Sequence, residues 1–236
     1  MTTMLDFLNH LAFGIYPYIA VAIFAAGCLI RFEREQYSWK SGSSQLLRKR
    51  QLRIGSNAFH VGILFLLFGH TVGLLTPHEL YGLVITAPQK QMLAIVSGGA
   101  AGILCFVGLT MLLHRRLYDP RIRATSSMAD IAILVLLWLQ LVLGLTTLPF
   151  SLAHRDGHVM MQLSHWAQHI VTFQGDAATY LTGVDAVFKA HIFLGITLFV
   201  AFPFSRLVHI WSVPVGYVRR PYQIVRRRAQ TGIVRF

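Results

Sequence analysis

Charged residues and cysteines are both scarce in this sequence of 236 residues. Asp, Glu, Lys and Arg make up only 13%, whereas hydrophobic residues reach 55%. A soluble domain is about a quarter charged, so a water-soluble domain is excluded. The two cysteines lie inside apolar runs, and no Cys-x-x-Cys-His motif is present. A disulfide framework, covalently attached c-type haem and an iron–sulfur cluster held by this chain alone are therefore excluded.

Five apolar runs are each long enough to cross a bilayer as a helix. The predicted spans are 8–30, 54–75, 90–113, 128–149 and 186–210. Because the runs show no strand alternation, the expected fold class is all-α, an integral membrane bundle of five transmembrane helices. Residues 1–236 form a single domain, which ends in a basic tail at 211–236. Within the long connection 150–185, the mixed segment VMMQLSHWAQHIVTF predicts a further helix at the membrane interface.

The basic residues are distributed unevenly between the connections. Eighteen of the 21 Lys and Arg residues lie in 31–53, in 114–127 or from Arg206 onward. The positive-inside rule then places the N-terminus outside and the C-terminus in the cytoplasm. This bias, together with attraction to membrane lipid, also accounts for the net charge of +12, so no nucleic-acid partner is predicted.

Four histidines lie inside predicted spans, where ionisable residues are costly and usually functional. His60 and His70 belong to the second span, and His191 and His209 to the fifth. Neutral imidazole is an axial ligand of haem iron, so two such helices predict two b-type haems. Depth in antiparallel spans pairs His70 with His191 near the outer face and His60 with His209 near the cytoplasmic face. Histidines bonded to helix carbonyls, a transition-metal site and a proton relay are the alternatives.

The spacing of these pairs predicts a geometric mismatch. On a straight helix, His191 and His209 share a face and lie about 27 Å apart, whereas His60 and His70 lie about 15 Å apart and differ by roughly 80°. Pro203 lies between His191 and His209, and a kink there would change their separation.

Two further features offer alternatives to haem binding, a zinc site and a transporter function. His165 and His169 are four residues apart on the predicted interfacial helix, a spacing that can hold zinc, although no thiol or carboxylate completes the site. A transporter or channel would need a carboxylate within the spans, and Asp130 is the only candidate.

Two GxxxG pairs lie in the second and third spans. Gly69 with Gly73 and Gly98 with Gly102 predict close helix packing. Gly69 is the exception, because a glycine beside His70 also leaves room for a porphyrin edge.

Four long motifs carry a resemblance that covers nearly the whole chain. They are SNAFHVGILFLLFGHTVGLLTPH, SGGAAGILC, RRLYDPRIRATSSMADI and FPFSRLVHIWSVPVGY. In these motifs the chain resembles the gamma subunit of respiratory nitrate reductase. The resemblance implies a five-helix cytochrome b of a bacterial or archaeal cytoplasmic membrane, with two non-covalent b haems. Such a subunit oxidises quinol near the outer haem, releases protons outside and does not itself reduce nitrate.

The resemblance also implies partners and site residues. Electrons pass inward to an iron–sulfur beta subunit and then to a molybdenum-containing alpha subunit at the cytoplasmic face, where segment 31–53 and the tail from Trp211 are expected to dock. The family's haem ligands fall on His60, His70, His191 and His209, and its quinone-binding lysine falls on Lys90. The alternative function is a haem-containing membrane anchor of a different respiratory oxidoreductase.

Three site residues have alternatives of their own. Lys90 would otherwise be a lysine that snorkels at a helix end, and Gly69 is a second quinol-site candidate. Arg206, one turn before His209, is inferred from the residues themselves to pair with a haem propionate, with a plain membrane anchor as its alternative.

Overall fold

The computed structural model describes residues 4–39, 47 and 49–212, and all regular structure in these residues is helical. Five helices are long and apolar enough to cross a membrane: α1 (Met4–Arg34), α2 (Lys49–Leu75), α3 (Ala87–Tyr118), α4 (Met128–Ala153) and α6, an α-helix at Ala186–Ala201 that a 3-10 turn extends to Phe204. A shorter amphipathic helix, α5 (His158–Val171), lies between α4 and α6. The predicted five spans and the additional helix in the 150–185 connection are confirmed.

Polar side chains at the helix starts explain where two of the spans begin. Thr86 precedes α3, accepts a hydrogen bond from the backbone of Gln89 and donates its own backbone N–H to the Gln89 side chain. Ser127 and Asp130 form the same reciprocal pair at the start of α4. Each capping box satisfies two N–H groups that a helix terminus leaves without partners.

The spanning helices pack in the spatial order α2, α3, α4, α6, α1. Short connections reverse the chain, so the bundle has two distinct ends. At the Lys90 end lie the start of α3 and the turn His78–Tyr81. At the Asp130 end lie the turn Pro120–Ala124 and the 3-10 segment Arg206–Ser212. The two helices that carry the predicted haem ligands, α2 and α6, are not neighbours in this order.

The closest helix contact, between α2 and α3, depends on glycines other than the predicted pairs. A Cβ on Gly62 would lie 2.6 Å from the Cβ of Cys105, and one on Gly108 would overlap the backbone of Phe59. By contrast, a Cβ built on Gly69, Gly73 or Gly98 meets no packing partner within 4 Å among the described residues. The packing role predicted for Gly73 and Gly98 is therefore wrong, because both face open space.

Gly102 is the one GxxxG residue that packs as predicted. A Cβ there would lie 2.9 Å from Leu145 of α4.

Helix α5 and the loop after it close the Lys90 end. The indole of Trp166 donates to the carbonyl of Phe13, inside a π-turn of α1, and Asn9 donates to the carbonyl of Ala178. Gln168 donates to the carbonyls of Leu74 and Thr76, which terminate α2. These bonds satisfy backbone groups that helix ends and a π-turn leave exposed.

The fifth span is predicted at 186–210 with a kink at Pro203, but its helix ends earlier, at Phe204. The α-helix ends at Ala201, the turn Phe202–Phe204 follows, and Ser205 is fully extended with φ −120° and ψ 178°. Pro203 cannot donate an N–H and fits against Gly27 of α1, where a Cβ would lie 2.7 Å from its ring. Arg31 then donates to the carbonyls of Pro203 and Ser205 at 2.7 and 2.8 Å. The chain therefore breaks before His209, which lies on a 3-10 turn.

Candidate functional site

His70 and His191 face each other between α2 and α6. Their ring centroids are 6.2 Å apart and their planes are inclined by 43°. An iron held between two imidazoles, at about 2 Å from each nitrogen, separates the ring centres by roughly 6 Å. The pair predicted from depth therefore has the spacing of two axial ligands of one iron.

Hydrogen bonds fix which nitrogen each histidine presents. The Nδ1 of His60 lies 2.7 Å from the carbonyl of Ser56, the Nδ1 of His70 lies 2.7 Å from the carbonyl of Leu66, and the Nδ1 of His209 contacts the carbonyl of Arg206. Because a carbonyl only accepts, each Nδ1 carries the proton and each Nε2 keeps a lone pair. Backbone carbonyls orient metal-binding histidines in this way.

His191 is held differently, by α4. The side-chain nitrogen of Gln140 lies 3.1 Å from the carbonyl of His191 and 3.5 Å from its Nε2. A Cβ on Gly144 would lie 2.9 Å from Cε1 of the His191 ring, and a Cβ on Gly195 would lie 3.1 Å from the Gln140 amide. The arrangement is reciprocal. Gly144 of α4 accommodates the His191 ring of α6, and Gly195 of α6 accommodates the Gln140 amide of α4. Each glycine lies four residues after the polar side chain of its own helix.

The space beside His70 suits a large flat group. His70 is exposed although it faces His191, and a Cβ on Gly69 or Gly73 would meet no described residue of another segment within 4 Å. Together with the ring spacing and the bare Nε2 of His70, this space makes the pair fit a bis-histidine haem. The room predicted at Gly69 is present.

Within the described residues, no ring contact joins His60 and His209. His60 is exposed on α2, and His209 is half-buried. The separation of His191 and His209 was predicted for a straight helix. Because the helix breaks before His209, that predicted separation does not apply. The second haem site therefore stays a prediction.

Lys90 lies in the first turn of α3 and is buried, with 8% of its surface exposed. Its Nζ is 3.6 Å from the ring centroid of Tyr81 and has no hydrogen-bond partner within the described residues. A snorkelling lysine would extend its ammonium into water, so this arrangement disfavours the anchor interpretation.

Arg206 and Asp130 belong to a charged cluster at the Asp130 end. Asp130 lies 3.8 Å from Arg206 and 3.5 Å from Arg116, whose guanidinium also donates to Ser126 at 2.8 Å. Asp130 is thus engaged by two arginines and by the α4 capping box. The transporter hypothesis relied on Asp130 as its carboxylate. These bonds give Asp130 a structural role and so disfavour that hypothesis. Because Asp130 already engages the guanidinium of Arg206, the predicted pairing of Arg206 with a haem propionate stays a prediction.

His165 and His169 have structural partners in the loop after α5. The ring of His165 stacks on Tyr180 at 5.4 Å, and Nδ1 of His169 donates to Asp176 at 2.7 Å. This hydrogen bond holds the pKa of the Asp176 carboxyl below its ordinary value. Within the described ranges no group of three potential ligands forms a metal site.

These features define an integral membrane helical bundle with a paired-histidine centre between two of its helices. The chain belongs to the nitrate reductase gamma subunit family, whose model matches residues 9–228. It is therefore a membrane subunit of the cytochrome b type in an oxidoreductase complex, and its predicted membrane location is confirmed.

Individual relatives agree with this family assignment. The chain is 51% identical to the respiratory nitrate reductase 1 gamma chain of Escherichia coli (strain K12), over 95% of this chain and 100% of the relative. It is 48% identical to the respiratory nitrate reductase 2 gamma chain of the same organism, over 95% and 100%. It is 37% identical to the nitrate reductase gamma chain of Bacillus subtilis (strain 168), over 94% and 99%.

Sequence reasoning missed three residues that shape the site. Gln140 and Gly144 look like ordinary residues of an apolar span, and Arg31 was counted only as a positive charge. The repeated spacing of a polar residue and a glycine four positions later, at Gln140 with Gly144 and at His191 with Gly195, was an available signal. Nothing in the sequence indicated that these two pairs face each other.

Proposed function

We propose that this chain is the quinol-oxidising subunit of a respiratory nitrate reductase complex. It takes electrons from quinol at the Lys90 end and delivers them at the Asp130 end to an iron–sulfur subunit and, through it, to a molybdenum-containing subunit. The observation that carries the proposal is the pairing of His70 with His191 at ligand spacing, in a member of the gamma subunit family.

The four histidines hold the redox groups in this proposal. His70 and His191 bind one b haem, and His60 and His209 bind the other. When bound, these haems supply one-electron transfer across the membrane interior. In three of the histidines Nδ1 is bonded to a backbone carbonyl, which leaves Nε2 as the nitrogen that would bind iron. Arg206, next to His209, pairs with a propionate.

Lys90 binds the quinol in this proposal. A buried ammonium without a hydrogen bond is unfavourable, and the ring of Tyr81 compensates it only in part through a cation–π contact. Burial, together with the nearby Glu79 carboxylate, raises the pKa of Tyr81, so this ring stays an uncharged phenol at neutral pH. A quinone or quinol oxygen supplies the acceptor that Lys90 lacks, and Gly69 leaves space on the neighbouring helix.

The charge distribution supports an orientation with the Lys90 end outside. Quinol protons then leave on the outer side while electrons move inward. Charge separation of this kind stores about 2.3 kcal/mol per elementary charge per 100 mV. The partner subunits dock at the basic Asp130 end. Segment 31–53 is expected to contribute to this docking, and its residues 40–46 and 48 lie outside the described residues. The tail beyond Ser212, which is expected to contribute as well, lies outside the described residues.

A visible spectrum and redox titration of histidine variants test the proposal. The reduced complex should show the sharp band of bis-histidine b haem. His70→Ala and His191→Ala should each remove the same haem, and His60→Ala and His209→Ala should each remove the other. His165→Ala, which alters an interfacial histidine on α5, should leave both haems in place.

Two results would contradict the proposal. A colourless wild-type complex would remove its basis. Loss of different haems from His70→Ala and His191→Ala would show that these residues do not ligate one iron.

A further inference from the structure

His191 has an unsatisfied N–H where the other three histidines have a partner. Its Nδ1 is buried and makes no hydrogen bond within the described residues. The Nε2 of His191 lies 3.5 Å from the amide nitrogen of Gln140, which is a donor. This contact fits the tautomer in which Nε2 keeps the lone pair and Nδ1 carries the proton. A buried N–H without an acceptor costs about 1–3 kcal/mol.

The complementary unsatisfied group belongs to the adjacent side chain. Gln140 Oε1 is buried and has no donor within the described residues, although the nitrogen of the same amide donates to the carbonyl of His191. An acceptor without a donor and a donor without an acceptor therefore lie on side chains already in contact. The ring packs on Gly144 and the amide packs on Gly195, where a Cβ would crowd them.

We propose that Gln140 is the positioning residue of His191, and that its Oε1 accepts the Nδ1–H of His191 when the Nε2 of His191 binds iron. The inference rests on the proposed function, because it requires His191 to be an axial ligand. Histidines that bind metals almost always donate their other ring N–H to an acceptor, which fixes the ring and makes it a stronger donor to the metal. For the other three histidines that acceptor is a carbonyl of their own segment, whereas for His191 it comes from α4.

The Gln140 hydrogen bond should set the midpoint potential of one haem. An imidazole that donates its N–H is more basic and stabilises the ferric state, so removing the acceptor favours the ferrous state. In the holo complex, Gln140→Leu should keep both haems and raise the midpoint potential of the His70–His191 haem. Gln140→Glu, which offers a stronger acceptor, should lower the same potential. Neither change should move the potential of the other haem.

Gln168→Leu is the matched control. Gln168 also uses its amide to bond backbone carbonyls of another helix, but it has no contact with His191. Its variant should leave both potentials unchanged, so a purely structural loss of a glutamine amide is separated from an effect on the iron ligand.

These experiments distinguish failure of the proposed function from failure of the Gln140 inference alone. If His191→Ala retains both haems, the proposed function fails. If His191→Ala loses one haem but Gln140→Leu leaves that haem's potential unchanged, or shifts both haems equally, only the Gln140 inference fails. Should Gln140→Leu lose the haem, Gln140→Glu decides: a retained haem with a lowered potential supports the inference, and a lost haem or an unchanged potential overturns it.

Discussion

The ammonium of Lys90 is largely removed from water and has no hydrogen-bond partner among the residues that the structure describes. Its ammonium packs on the ring of Tyr81 and is covered by protein. A lysine that served only as an anchor would be more stable in water. In the proposed quinol complex, a quinol oxygen accepts a hydrogen bond from the Lys90 ammonium. This bond would offset the cost of burying the charge.

Lys90→Met should slow quinol oxidation by roughly 10- to 100-fold while both haems remain. The substitution keeps an apolar side chain of similar length and removes the charged hydrogen bond, which contributes about 1.5–3 kcal/mol. Quinol kinetics and haem spectra of the same preparation check it. Arg155→Met is the control, because Arg155 is an exposed basic residue just beyond the α4 end at the Lys90 end. Equal slowing in both variants would point to general surface charge and contradict a specific Lys90 contact.

The hydrogen bond between His169 and Asp176 should make stability depend on pH. Since it lowers the pKa of the Asp176 carboxyl, its stabilisation is present above the ordinary Asp pKa of about 3.9 and is lost as pH falls through the lower folded value. His169→Gln should therefore lower the melting temperature near neutral pH, and the difference from wild type should shrink on acidification.

Thermal unfolding of wild type and variant in detergent across this pH range measures the effect. His165→Gln is the control, because His165 stacks on the same Tyr180 ring without bonding a carboxylate. A difference for His169→Gln that stayed constant down to the lowest pH would exclude the Asp176 contact as its cause.

At the scale of single elements, hydropathy predicted which segments form spanning helices. It did not predict which residues of those helices contact one another. The residues at which α2 and α3 meet include Gly62, Cys105 and Gly108, whereas the predicted GxxxG glycines mostly face open space. Hydropathy reports that a segment leaves water, and all faces of a spanning helix are apolar. It therefore cannot report which face meets protein, lipid or a cofactor.

Gly108→Ala should destabilise the bundle by about 1–3 kcal/mol, because the added methyl overlaps backbone atoms of Phe59 and Gly55 that cannot move aside. Gly98→Ala, on the same helix, should be neutral or stabilising, since it enters open space and alanine favours the helix by up to about 1 kcal/mol. Melting temperatures in detergent compare the two. Equal effects would show that helix propensity, and not the α2–α3 contact, determines the response.

The end of α6 also depends on contacts that the sequence did not predict. Pro203 predicted a kink, but the helix ends, because Arg31 and Gly27 of α1 stabilise a broken backbone. The proline was visible in the sequence, whereas its partners lie about 170 residues earlier in the chain.

At the scale of the whole molecule, the two ends of the bundle differ in charge. Arginines of α3 and of the connections accumulate at the Asp130 end, where Asp130 pairs with Arg116 and Arg206. Far fewer basic residues lie at the Lys90 end. The proposed orientation and the proposed docking of cytoplasmic partners both depend on this difference.

Arg123→Cys and Gln174→Cys should report the orientation, because both residues are exposed and lie at opposite ends. A membrane-impermeant maleimide should label Gln174→Cys in spheroplasts and Arg123→Cys only in inverted vesicles. The native Cys28 and Cys105 are buried and give a low background. In the assembled complex the partner subunits should shield Arg123→Cys. The reverse labelling pattern would contradict the proposed orientation.

The sequence by itself determined the class of fold, the five spans, the helix between the fourth and fifth spans and the four histidines proposed to bind haem. These depend on local quantities: apolar length against bilayer thickness, and the cost of an ionisable group in lipid. Only the tertiary structure decided that His70 faces His191, that Gln140 and Gly144 receive the His191 ring, that Lys90 is buried against Tyr81 and that α6 breaks before His209. Each of these depends on which helix faces meet, because close packing in a bilayer is set by shape and hydrogen bonding between distant segments, which hydropathy does not encode.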